Sequence, residues 1–89
     1  MKDSINYIIN DLYYWDDNPM SLPPIIRSLN SLIVVAMNQN KAEEVIEKMT
    51  DALYELEEMY NERDNIEDFE QYINRTISYL NDAIELGNN

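Results

Sequence analysis

Glu44, Glu47, Asp51, Glu55, Glu58 and Glu62 recur at spacings of 3, 4, 4, 3 and 4 residues. On a helix turning about 100° per residue they fall in one narrow sector. Glu43 and Glu57 flank this line, and Tyr54 is set among its members. Carboxylates so arranged could do acid–base chemistry, hold a metal or recognise a cation. General acid–base work uses a histidine or a carboxylate pair tuned by a pocket. The chain has no histidine and no cysteine, and an exposed helix face tunes nothing. Di-iron bundles need Glu-x-x-His pairs, and calcium loops need alternating acids followed by glycine. "DDNPMS" at 16–21 and "NERDNIEDFE" at 61–70 both lack that glycine, and Gly87 is the lone glycine of the chain. It cannot build a phosphate cradle by itself. No catalytic residue, metal ligand or cofactor is therefore expected, and an enzyme is not expected.

Recognition remains. Residues 43–70 hold twelve of the eighteen carboxylates and two of the six basic side chains. Each successive pair in the line is a like-charge neighbour that destabilises a helix by about 0.2–0.5 kcal/mol. A surface helix built for stability would mix lysine with glutamate; here Lys48, one turn from Glu44, is the single offset. The line is expected to face solvent opposite the Val45, Met49, Leu53, Leu56 side and to run roughly 27 Å at 1.5 Å rise per residue. A file of anions on a rigid element imitates a nucleic-acid strand. The partner it calls for is a basic protein surface, such as that of a nucleic-acid-binding protein or nuclease. Direct binding to nucleic acid or to an anionic membrane is excluded by repulsion. The contact set is Glu44, Glu47, Asp51, Tyr54, Glu55, Glu58 and Glu62, joined by Asp16 and Asp17 of "YYWDD" at 13–17, where aromatic side chains stand ready to anchor an interface.

The elements that carry these residues are helical, since apolar positions repeat with a 3.6-residue period and nowhere alternate. The first helix starts at a Ser4 cap and buries Ile5, Ile8, Ile9 and Leu12. The Pro23-Pro24 pair opens the second, lined by Leu22, Ile25, Ile26, Leu29, Leu32, Ile33 and Ala36. Val34, Val35 and Met37 extend its apolar surface further round. Asn40 with Glu43, and Asp64 with Glu67, read as capping boxes for the third and fourth helices. The third turns Ala42, Val45, Ile46, Met49, Leu53, Leu56 and Tyr60 inward. The fourth buries Ile66, Phe69, Ile73, Ile77, Leu80 and Ile84 and stops at Gly87. Helices near 4–15, 23–37, 41–61 and 65–86, with short connections, predict an all-α fold: a small antiparallel four-helix bundle, a single acidic helical domain over 1–89.

Composition agrees. Eighty-nine residues at 45% apolar suffice for one core, although the net charge of −12 limits its stability. Without cysteine, signal-like amino terminus or apolar run longer than "LIVVAM" at 32–37, a cytoplasmic setting with no membrane span is expected. Ten glutamates against three lysines, in a chain rich in asparagine and isoleucine, are not what AT-rich coding alone would produce.

Two functions fit. One is an acidic inhibitor that occupies the basic groove of a nucleic-acid-binding protein as a DNA mimic. Phage inhibitors of restriction and of CRISPR defence, and nuclease-toxin immunity proteins, share this size, acidity and helicity without any common motif. The other is a structural or assembly protein, a homodimer through Leu32, Ile33, Val34, Val35 and Met37, with the acids serving solubility.

Overall fold

The computed structural model describes residues 1–88. Four α-helices follow in order, α1 Lys2–Tyr13, α2 Leu22–Asn38, α3 Glu43–Asn61 and α4 Glu70–Gly87, with a short 3-10 turn at Pro19–Ser21 before α2. Each helix packs on its neighbours in the cycle α1–α2–α3–α4–α1, α3 with α4 most extensively. Cross-helix partners set the direction. Lys48 of α3 meets Asp82 of α4, and Glu55 meets Arg75, so residue numbers rise along one helix as they fall along the other. The result is the antiparallel bundle the sequence predicts, a rod 37 × 19 × 18 Å.

The core is apolar throughout except for Thr76, whose hydroxyl donates to the Tyr72 carbonyl one turn back at 2.7 Å. Ile5, Ile8, Ile9 and Leu12 of α1 are buried together with Leu22, Leu29, Ile33 and Ala36 of α2. On α3 the seam is Val45, Met49, Ala52, Leu56 and Met59. Ile46, Leu53 and Tyr60, expected inside, are half-buried along its edge, and Ala42 is exposed. The antiparallel partner α4 lies on the side of α3 where Ala52 and Met59 project, and that shifts the buried seam away from Leu53. Ile77, Leu80 and Ala83 complete the core from α4, while Ile66, Phe69, Ile73 and Ile84 are half-buried.

Several helix ends differ from their sequence signals. Met1 caps α1, with its carbonyl taking the Ile5 N–H at 3.1 Å, so Ser4 lies inside the helix. Asn40 ends α2 instead of starting α3: its φ is 55°, its N–H reaches the Met37 carbonyl at 3.1 Å and Lys41 N–H reaches Ala36 at 3.0 Å. That pair of bonds is a Schellman stop, in which asparagine tolerates the left-handed conformation better than most residues. Between α3 and α4, residues 62–69 form a loop where helix was expected from 65. The Asp64–Glu67 signal is unused. Instead the Asp68 carboxylate accepts the Glu70 N–H at 2.9 Å, supplying one of the orphan donors at the start of α4.

The segment Pro19–Asn38, with mean hydropathy 1.4, is long and apolar enough in composition to cross a membrane, which the short run at 32–37 does not suggest. In the fold it turns from 3-10 to α-helix and forms one wall of the bundle through Leu22, Leu29, Ile33 and Ala36.

Candidate protein-binding face

Taking about 100° per residue, the carboxylate line of α3 is centred roughly 120° around the helix from the Val45–Met59 seam, not opposite it. It therefore runs beside α4. Asp51 and Glu55 are half-buried against that neighbour, whereas Glu44, Glu47, Glu58 and Glu62 are exposed. Arg75 Nε and Nη2 each donate to one oxygen of Glu55 at 3.2 Å, and the guanidinium also sits 4.6 Å over the Tyr72 ring. Donation to the Glu55 carboxylate raises the Arg75 pKa above its ordinary value. The line is thus interrupted at its middle. Glu62 is engaged locally, accepting from Asn65 Nδ2 at 3.0 Å.

Two features make the remaining charge costly. Glu43 and Glu44 suit the positive N-terminal end of α3, but Glu57 and Glu58 crowd its negative C-terminal end, where the last turn holds no base. Arg63, just past that end, offsets part of this: Nη1 donates to the Tyr60 carbonyl at 2.7 Å and the guanidinium lies 4.4 Å over the Tyr60 ring. Lys48 is likewise occupied, 3.8 Å from Asp82 and over the Tyr79 ring. Three of the six bases are held internally, and they sit where the acids are densest.

The bundle adds a polarity that is invisible along the chain. Loops 14–21 and 62–69 close the same end of the rod, joined by Trp15 and Phe69, whose rings meet edge-on at 5.5 Å. They carry Asp16, Asp17, Glu62, Asp64, Glu67 and Asp68, six of eighteen acids, with Arg63 as their single base. At the other end Lys2 and Lys41 offset part of the charge of Asp3, Glu43, Glu44 and Glu85.

The two aspartates read together in "YYWDD" separate here. Asp16 is an exposed turn residue: one oxygen accepts from Asn18 N–H at 3.0 Å and the other from the Ser21 hydroxyl at 2.9 Å. Asp17, with φ 59°, stands at the mouth of a groove between the end of α1 and the start of α4. Trp15, Phe69, Ile73 and Ile77 are among its apolar walls, and its volume is about 800 Å³. Asp17, Glu67, Asp68 and Glu70 ring it, and no base lines it. These acids do not converge: among the described residues no group of three or more carboxylates is close enough to hold a metal. The Trp15 indole N–H is buried without a partner, a state that costs about 1–3 kcal/mol. Nothing in the sequence singles out Glu67, Asp68 and Glu70, because fifty residues of chain separate Asp17 from Glu67.

Tyr54 is 64% exposed and points away from the seam. On α2, Val34, Val35 and Met37 are exposed at 49%, 42% and 57%, but Ile33 is buried. Ile33 cannot belong to an intermolecular face, because its side chain is part of the core. Comparison of the chain with protein families, with curated proteins and with solved structures found no match.

Proposed function

We propose that this protein is a non-enzymatic inhibitor that binds, through its acidic surface, the basic nucleic-acid-binding groove of another protein. The observation that carries the reading is the concentration of acids on the two loops at one end of the rod and on α3, where like charges one turn apart destabilise the helix. Six carboxylates over roughly 27 Å of helix stand about 5.4 Å apart, sparser than one charge per 3.4 Å on a nucleic-acid strand. With Glu55 tied to Arg75, mimicry resides in two acidic clusters more than in a continuous strand. Nucleases and effectors of restriction or CRISPR defence carry grooves of the required charge. The test is affinity capture from a bacterial lysate at low salt, followed by a DNA competition assay on the protein captured. A partner released by duplex DNA and by about 0.5 M salt, where screening is nearly complete within 5 Å, supports the reading; a partner indifferent to both contradicts it.

A second reading has its own observation. Residues 22–38 contain no acid and one base, Arg27, so this is the side on which two chains of net charge −12 could approach with least repulsion. A homodimer through Leu32, Val34, Val35 and Met37 would use it. Sedimentation equilibrium on wild type and Val35→Glu tests this: a dimer that the substitution disperses favours it, and a monomeric wild type removes it.

A further inference from the structure

The groove between α1 and α4 combines three properties. Its volume, about 800 Å³, lies in the range of sites that enclose a ligand, so it holds more than one side chain. Trp15, Phe69 and Ile73 are among its apolar lining residues, and Asp17, Glu67, Asp68 and Glu70 line it with no cation beside them. Such a site can bury an aliphatic stem, stack a planar cation and pair it with carboxylates. Arginine has all three parts; lysine lacks the plane and the fork.

The protein's own arginines show the same pairing at work. Arg75 lies over the Tyr72 ring and donates through two nitrogens to Glu55. Arg63 lies over Tyr60 and caps its carbonyl. The groove likewise brings aromatic side chains and carboxylates together, with no base among its lining residues.

We propose that the α1–α4 groove docks an arginine-bearing peptide segment of the basic partner, with one guanidinium stacked on the aromatic floor between Asp17 and the Glu67–Glu70 rim. This rests on the reading of the acidic surface as a protein-binding face and names its anchoring site.

Trp15 is the sole tryptophan, so its emission and its indole NMR signal report on this groove alone. A short glycine-spaced arginine peptide is titrated into the intact protein, beside matched lysine and citrulline peptides, while amide signals of α3 are followed in the same spectra. Saturable shifts at Trp15 are expected with the arginine peptide, about tenfold weaker with lysine and absent with citrulline. Asp17→Asn with Glu67→Gln, which leaves the Asp68 bond to α4 untouched, is expected to weaken binding about tenfold. Phe69→Leu, which keeps an apolar side chain but loses the ring, is expected to erase the preference for arginine over lysine. An arginine peptide that shifts α3 signals and leaves Trp15 unmoved overturns the groove while leaving the acidic face standing. A peptide that moves neither overturns both, and equal lysine and arginine affinities overturn the arginine assignment.

Discussion

Arg75 on α4 grips both oxygens of Glu55 on α3, each at 3.2 Å, and so neutralises the midpoint of what reads in sequence as an unbroken line of anions. Two of the five like-charge pairs in that line, Asp51–Glu55 and Glu55–Glu58, are relieved by it. Glu55 therefore ties α3 to α4. Glu55→Gln is expected to lower the thermal midpoint, and a double-mutant cycle with Arg75→Gln should show coupling that the cycle of Glu47→Gln with Arg75→Gln lacks.

The opposite sign is expected along the rest of the line. Glu47→Gln relieves repulsion with Glu44 and Asp51 and should stabilise the isolated protein by roughly 0.4–1 kcal/mol at low salt, from about 0.2–0.5 per pair. The gain should shrink as salt rises, because exposed charges are screened beyond about 10 Å at 0.1 M. Urea unfolding at two salt concentrations measures it.

In the core, Leu56 is fully buried and Leu53 is half-buried. Leu56→Ala is expected to cost about 2–5 kcal/mol, which a domain of this size barely survives, and Leu53→Ala less than half as much. Equal losses by chemical denaturation would mean that the α3 seam does not run through Ala52 and Met59.

Helix number, direction and most of the core were legible because periodicity reports burial directly: Ile5, Ile8, Ile9, Leu12, Leu29, Ile33 and Ile77 lie inside as the spacing requires. The ends were less legible. Ser4, Asn40 and Asp64 each carry a valid capping side chain, but a cap also needs the chain to enter from outside the helix, and tertiary packing decides that. Asn40 went to the stop of α2 because its φ of 55° closes that helix. The helical spacing of the acidic line is plain in the sequence, but its direction is not, since only the packing of α4 brings Arg75 to Glu55. The groove was illegible because Asp17 and Glu67 are brought together only when α1 packs on α4.

Those unused caps give a further check. Ser4→Ala is expected to be neutral or stabilising by up to about 0.5 kcal/mol, as alanine is the better helix former. Asn40→Ala, forced to keep a left-handed backbone, is expected to cost about 1 kcal/mol, and Asn40→Gly to cost nothing. Thermal melts of the three variants suffice.

The most direct test of the acidic surface as a binding face is the dissociation constant of the captured basic partner for wild type and for a variant carrying Glu44→Gln, Glu47→Gln, Glu58→Gln and Glu62→Gln. Glu55 is kept, so that its bond to Arg75 and the packing of α3 on α4 survive. With circular dichroism unchanged, the variant should bind at least about tenfold more weakly, mainly through slower association, and its affinity should depend less on salt. A variant that binds as tightly as wild type, with the same salt dependence, would contradict the account and leave the carboxylates as a solvated surface.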